Sequence, residues 1–170
     1  MQRPFSQVDV FASGGFAGNP VAVVHDADGI TTEEMLEVVA WTNLSEATFL
    51  LPPTDGAADY RVRIFCPGRE LPFAGHPTLG SCMAWLHAGG RPARSGTVRQ
   101  ECGVGIVEID LSGERPAFIA PPTRVESMAV HDKQDIMRAL EIEEAQVRAA
   151  VTRARSRLAR TGPGAVEPPG

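Results

Sequence analysis

The sequence predicts an α+β fold in which a mostly antiparallel sheet surrounds a central apolar helix. β-type segments come in runs between residues 5 and 122 and do not alternate strictly with helices, which favours antiparallel pairing. One helical segment, Pro77 to Ala88, carries no Lys, Arg, Asp or Glu, and a helix that is apolar on all sides is expected to be buried. The length of 170 residues suits one domain, or one and a half small ones.

The first elements have clear local signals. FSQVDVF alternates in polarity, ASGGFAGN predicts a glycine-rich turn, and PVAVV resumes as a strand. The next segment is a helix, because Thr31 and Glu34 form a capping box and Asn43 is suited to its end. ATFLL follows as a strand, and the Pro-Pro pair after it ends the ladder because proline has no N–H to donate.

The later elements continue this pattern up to a change in composition. DYRVRIF alternates, TVRQECGVGIVEIDL predicts two strands with a tight turn at Gly103–Gly105, and PAFIAPP predicts one more short strand. From about Lys133 the pattern is helical through QDIMRALEIEEAQVRAA. Residues 148–160 then hold five arginines and no acid, and the Pro/Gly-rich segment TGPGAVEPPG predicts disorder.

Composition and motifs exclude several classes of function. A formal charge of −5 argues against nucleic acid or an anionic membrane as the main partner. Apolar runs such as Val21 to Val24 are too short to span a bilayer, and no apolar segment follows Met1, so we expect a cytoplasmic protein. The three cysteines, without a C-x-x-C pair, suggest no zinc site. G-x-G-x-x-G, G-x-S-x-G and H-E-x-x-H are absent.

The start of the uncharged helix is a candidate anion-binding site. Its first N–H groups, expected at Thr78, Leu79 and Gly80, would lack partners within the helix and attract a carboxylate. Gly75 would let a ligand approach the main chain, and His76 adds a titratable donor. The alternative is a capped core helix whose histidine only bonds a neighbouring carbonyl.

Glu46 is the candidate acid, because it stands between a helix end and the apolar run ATFLL. A carboxylate partly removed from water holds a proton more tightly, which suits a general base that takes a proton from carbon. Ser45 and Thr48 are placed to position it by hydrogen bonds. The alternative is a solvated residue at the start of a strand.

Four linked motifs resemble one known family. DVFASGGFAGNPVAVV, NLSEATFLL, RIFCPGRELPFAGHPTLGS and QECGVGIVEI occur in that order, and together they resemble the PhzF-like isomerases of phenazine biosynthesis. The resemblance covers about residues 5 to 147. It implies the diaminopimelate epimerase fold, in which each of two lobes is a curved sheet around a central helix and the active site lies between the lobes.

The resemblance also implies roles for individual residues. Glu46 matches the general acid/base of the family, and no metal or other cofactor is implied. The expected substrate-binding residues are Asn19, Ser45, Gly75, His76 and Thr78. The substrate would be a small cyclic or amino-acid-derived carboxylate. Ala74 stands where related epimerases carry a thiol at the helix start, so a two-thiol racemase is disfavoured.

The second lobe of the family has no counterpart in the motifs. We therefore expect residues 1–148 to form the first lobe and residues 149–170 to be a divergent tail, as in a truncated or frame-shifted relative. A lone lobe would expose an apolar face, which predicts a homodimer or self-association. Two interpretations remain open: an active isomerase, or an inactive lobe that at most binds a small carboxylate or another protein.

Overall fold

A computed structural model describes residues 2–122 and 129–143. The chain divides into two units, Met1–Pro121 and Pro122–Gly170. The strands are β1 (Phe5–Val10), β2 (Asn19–Val24), β3 (Ala47–Leu51), β4 (Tyr60–Cys66), β5 (Arg69–Leu71), β6 (Thr97–Cys102), β7 (Gly105–Asp110) and β8 (Ala117–Phe118). The helices are α1 (Thr32–Thr42), α2 (Gly75–His87) and α3 (Val130–Leu140).

The first unit is one mixed sheet in the order β1-β2-β3-β4-β6-β7-β8, with β5 paired to β4. The β2–β3 and β4–β6 pairs are parallel and the other pairs are antiparallel. α2 contacts β1, β2, β3 and β6. One helix about 10 Å wide reaches strands that far apart only if the sheet curls around it. The prediction of an α+β fold with a curved sheet around a central helix is therefore confirmed.

The two faces of the sheet have separate cores. Side chains such as Val21, Val23 and Leu50 pack with α2, while Ala22, Phe49 and Phe65 pack with α1. β3 lies between both helices, so all five of its residues are buried. Its continuous apolar sequence follows from this position, because a strand covered on both faces has no polar side.

α1 begins and ends as its sequence predicts. Thr31 Oγ1 accepts from the Glu34 N–H, and the Glu34 carboxylate accepts from the Thr31 N–H. Asn43 then ends the helix in the left-handed conformation, with φ of 55°. These bonds satisfy amides that a helix start leaves free.

α2 begins earlier than predicted. It starts at Gly75, two residues before Pro77, and the N–H of Thr78 already donates to the carbonyl of Ala74 at 3.2 Å. Proline is tolerated there because a first-turn residue needs no donor. The helix is largely buried through Cys82 and at Ala84, as its uncharged sequence predicts.

Two smaller expectations also need correction. β5 was not predicted, because its three residues are too few to show alternation. α3 begins at Val130 and ends at Leu140, since Glu141 takes the left-handed conformation. The sequence predicted a helix from about Lys133 through Ala150, and residues 144–150 of that prediction lie outside the described residues. The predicted arginine-rich and Pro/Gly-rich tail lies outside the described residues.

Candidate active site

Three chain segments converge at the N-terminal end of α2. Asn19 opens β2, Ser45 and Glu46 precede β3, and His76 lies in the first turn of α2. β2 and β3 are parallel, so their first residues lie at the same edge of the sheet. The Thr48 hydroxyl accepts from Ser81 of α2 at 2.8 Å, so the Thr48 side chain faces α2. Glu46 is two residues earlier in extended backbone, where alternate side chains point to the same face, so its side chain also faces α2.

Glu46 and His76 are the charged and titratable groups at the centre of this site. Glu46 Oε2 lies 3.5 Å from His76 Nε2. The side chains are 19% and 9% exposed, and neither of the two atoms has a hydrogen-bond partner in the described part of the chain. Buried polar atoms are normally paired, so this pair is a candidate for bonding to a ligand.

Asn19 and Ser45 orient the imidazole. Ser45 Oγ donates to Asn19 Oδ1 at 3.4 Å, which leaves Asn19 Nδ2 to donate to His76 Nδ1 at 3.3 Å. An Nδ1 that accepts a bond puts the proton of the neutral ring on Nε2, the nitrogen that faces Glu46. The site therefore offers a carboxylate acceptor and an N–H donor side by side.

Desolvation controls the charge of His76. Burial lowers the pKa of its imidazole, while the nearby Glu46 carboxylate opposes that shift. At neutral pH the ring is therefore neutral, and it acts as a directed donor rather than a fixed cation.

The open end of α2 adds main-chain donors, though not those predicted from the sequence. Because Thr78 donates to Ala74, the predicted free N–H groups at Thr78, Leu79 and Gly80 belong to the helix ladder. The amides without an acceptor within the helix are those of Gly75 and His76. No acidic side chain lies in the first turn and no side chain caps it, so the helix dipole favours an anion there.

Thr78 is placed differently from the other predicted site residues. Its side chain is fully buried, and Oγ1 accepts from Gln100 Nε2 at 3.2 Å. Gln100 Oε1 in turn accepts from the buried Tyr60 hydroxyl at 2.8 Å. This chain of bonds, the Tyr60–Gln100–Thr78 chain, fixes the first turn of α2 to β4 and β6. A substrate contact by Thr78 stays a prediction.

Phe118 is a neighbour of the site that sequence reasoning missed. A Cβ added to Gly75 would lie 3.4 Å from the end of the Phe118 ring. The ring also packs edge-on against Phe73, with 5.4 Å between the centroids. The aromatic pair therefore forms an apolar wall next to the Gly75 main chain.

Two absences apply only to the described residues. No three or more His, Cys, Asp or Glu side chains of residues 2–122 and 129–143 are grouped so that they could hold a metal ion. No helix in the same ranges combines the length and apolar character that crossing a membrane requires.

A curled mixed sheet of this kind is the fold of the PhzF proteins and of related epimerases. The chain belongs to the PhzC-PhzF family of phenazine biosynthesis-like proteins, whose sequence pattern matches residues 8–166. The match continues past residue 148, where the resemblance of individual motifs fades. The division at that residue stays a prediction.

Individual relatives agree with this assignment. Antisense-enhancing sequence 1 of Schizosaccharomyces pombe is 50% identical over 114 residues, which cover 67% of this chain and 38% of that protein. The trans-2,3-dihydro-3-hydroxyanthranilate isomerase of Pseudomonas fluorescens is 51% identical over 77 residues, 45% of this chain and 27% of that enzyme. A crystal structure of a PhzF-family phenazine biosynthesis protein from Bacillus anthracis has 32% identity and a TM-score of 0.57, over 65% of this chain and 36% of that one. The chain thus matches well under half of each of these proteins.

Proposed function

We propose that this chain acts as a PhzF-like isomerase that moves a proton between two carbons of a small cyclic or amino-acid-derived carboxylate. The observation that carries the proposal is the pair Glu46 Oε2 and His76 Nε2, two buried atoms 3.5 Å apart that have no hydrogen-bond partner within residues 2–122 and 129–143. Family membership supports isomerase chemistry. The named substrate of the Pseudomonas fluorescens relative is a cyclic amino carboxylate and is the first compound to test.

Each part of the site has a proposed role. The substrate carboxylate would accept bonds from the free amides of Gly75 and His76, favoured by about 0.3–2 kcal/mol from the helix dipole. The His76 Nε2–H would donate to a substrate oxygen. The carbon to be deprotonated would then face Glu46, since its carboxylate lies beside that nitrogen.

The reaction would begin when Glu46 takes a proton from one carbon, while the C–H electron pair moves into the conjugated system to give an enol or enolate. Glu46 would then return a proton to a second carbon. One proton leaves and one arrives, and a double bond shifts between them. The composition and oxidation state of the substrate are unchanged, so this step balances without an added cofactor.

Deuterium uptake from D₂O into trans-2,3-dihydro-3-hydroxyanthranilate tests the proposal. We expect wild-type protein to exchange a carbon-bound hydrogen, and Glu46→Gln to slow the exchange by about 10²–10⁴-fold. Glu37→Gln is the matched control, because Glu37 is exposed on α1 away from the site. Equal exchange by the Glu46 and Glu37 variants would refute the assignment. No exchange at any protein concentration would favour the inactive binding lobe.

We further propose that copies of the chain associate through the loop that leads to the site. Phe11 and Phe16, between β1 and β2, are 54% and 104% exposed. Both have positive φ, which is unfavourable for bulky residues, and their exposed rings offer apolar surface that a second copy would remove from water. Sedimentation should show self-association of the wild type and a shift toward monomer in Phe11→Ser/Phe16→Ser. An unchanged distribution would contradict this.

A further inference from the structure

A second concave surface lies at the C-terminal end of α2, at the opposite end from Glu46. Two neighbouring hollows of about 310 and 350 Å³ are both lined by His25, Asp26 and Ala88, and we refer to them together as the α2 C-terminal hollow. The larger of the two is bounded by Pro4 and by the last turn of α2, and the smaller has apolar walls. Those walls are Leu50, Leu51, Pro52, Pro53 and Trp85.

A serine–histidine pair lines the larger hollow, with the histidine buried and the serine partly buried. Ser6 Oγ lies 2.9 Å from His25 Nε2, and His25 is 7% exposed. The sheet places the pair, because Ser6 opposes Val23 in the β1–β2 ladder and the His25 N–H continues that ladder to the Pro4 carbonyl at 2.9 Å. Burial lowers the pKa of His25, although Asp26 opposes the shift, so the ring is neutral at neutral pH.

Ser6 and His25 have the spacing of a nucleophile and its base, but the adjoining helix end has the wrong polarity for acyl transfer. Ala84, His87 and Ala88 of the last helical turn line the hollow. The carbonyl end of a helix carries the negative end of its dipole. An oxyanion would be destabilised there, whereas a cation would be stabilised.

The side-chain charges also favour a cation. Asp26 stands exposed at the rim of the hollow. Asp59 also lines the smaller hollow, but its carboxylate already accepts the N–H groups of Ala93 and Arg99, so Asp26 is the carboxylate open to a ligand. The described residues that line the two hollows include no lysine or arginine. The Asp26 turn is fixed, since the His25 N–H donates to Pro4 and the Ala27 N–H donates to Leu50 at 2.8 Å. A ligand with several N–H donors would match the Asp26 carboxylate and the Ser6 hydroxyl at the negative end of the helix dipole.

We propose that the α2 C-terminal hollow binds a small organic cation, a primary amine or guanidinium carried on a short apolar chain. The charged group lies between Asp26 and the carbonyl end of α2, and the apolar chain contacts the wall that includes Leu50, Pro52 and Trp85. This site does not depend on the proposed isomerase reaction, because none of the residues assigned to that reaction lines the hollow.

Tryptophan fluorescence tests the proposal with n-butylamine as the probe and n-butanol as its uncharged control. The chain has two tryptophans, so Trp41→Phe leaves Trp85, in the wall of the hollow, as the only one. We expect a saturable response to n-butylamine and none to n-butanol at the same concentrations. Adding about 0.5 M NaCl should weaken the amine binding, because salt screens a partly exposed ion pair. Equal responses to the amine and the alcohol, or an amine response that does not saturate or ignores salt, would overturn the proposal.

A matched pair of variants in the same background locates the cation. Asp26→Asn keeps the left-handed turn, which asparagine tolerates, and should weaken n-butylamine binding about three- to fivefold. Asp28→Asn removes a neighbouring exposed charge outside the hollow and should leave binding within about twofold of the parent. Thermal melting verifies that both variants fold. Equal affinities of the two folded variants for n-butylamine would refute the role of Asp26. If Asp26→Asn does not fold, the proposal is tested by the effect of salt and by the comparison of n-butylamine with n-butanol.

Discussion

Two groups of buried polar side chains on the α2 face of the sheet differ in their hydrogen bonding. The Tyr60–Gln100–Thr78 chain connects three side chains through two bonds in the core. Glu46 Oε2 and His76 Nε2, at the same end of α2, are also buried but have no hydrogen-bond partner among the described residues. The first arrangement serves stability, because each buried polar group has a partner. The second is costly for folding alone, which is the behaviour expected of groups retained for a ligand.

The largest effect on stability should come from breaking the paired group. Gln100→Leu would leave the Tyr60 hydroxyl and Thr78 Oγ1 without their partner in the core. We expect the free energy of unfolding to fall by about 2–4 kcal/mol, since each unsatisfied buried group costs about 1–3 kcal/mol. Urea denaturation measures this difference.

Gln7→Leu is the control for Gln100→Leu, because Gln7 is exposed on β1. Its unfolding free energy should remain within about 0.5 kcal/mol of the wild type. Equal stability of the two variants would show that the Tyr60–Gln100–Thr78 chain does not stabilise the fold.

A smaller loss of stability should follow from forcing α2 away from the sheet at Gly80. A Cβ on Gly80 would lie 2.4 Å from Val21 Cγ1 and 3.0 Å from Val10 Cγ2, so Gly80→Ala overpacks the helix against β1 and β2. We expect a loss of about 1–3 kcal/mol in the free energy of unfolding. Gly56→Ala, where an added Cβ meets nothing within 4 Å, should not show it. Equal melting temperatures for the two variants would contradict the prediction.

The pH dependence of stability should report the unpaired group. The pKa values of His25 and His76 are lowered in the folded protein, so below about pH 6.5 the unfolded chain binds more protons than the native one. The free energy of unfolding measured by urea denaturation should therefore fall as the pH drops from about 7 to about 5.5. Glu101 and Asp110, whose pKa values are also lowered, lose their contributions only below about pH 4.5.

His76→Gln separates the contributions of His25 and His76 to the pH dependence of stability. It should remove the contribution of His76 and make the fall with pH shallower, while His25 continues to titrate. A wild-type protein whose stability stayed constant, or rose, on acidification from pH 7 would show that the imidazoles are not desolvated as the structure indicates.

The smallest effect on stability should come from Asn19, which is exposed and contacts His76 Nδ1 and Ser45 Oγ. Asn19→Ala frees the imidazole to rotate and should slow deuterium exchange by about three- to tenfold. The free energy of unfolding should change by less than about 0.5 kcal/mol. A loss of stability as large as that of Gln100→Leu would instead assign Asn19 to the structural group.

Local patterns predicted most of the fold, because alternation and capping are carried by neighbouring residues. The predicted start of α2 was wrong by two residues, and the reason is also local. A residue before proline usually avoids the helical conformation, yet His76 adopts it in the first turn. That error moved the expected free amides from Gly75 and His76 to Thr78 and beyond.

The candidate site was less accessible from local patterns. Its residues meet only because β2 and β3 pair in parallel and α2 lies across them, and it was the family resemblance, not periodicity, that linked Asn19, Glu46 and His76. Gln100 and Phe118 lay in segments that the sequence predicted as strands, but nothing in those segments indicated their place beside α2. Their partners, Thr78 and Gly75, are distant in sequence, and nothing in the residues around them distinguishes a core amide or an aromatic wall.

The burial of β3 between two helices anchors the main chain that carries the Glu46 carboxylate. Glu46 is the residue immediately before this strand, so its main chain is continuous with a segment whose amide hydrogens should exchange with solvent only when the whole sheet opens. A proton acceptor anchored in this way would need no ordering step when a small acid arrives.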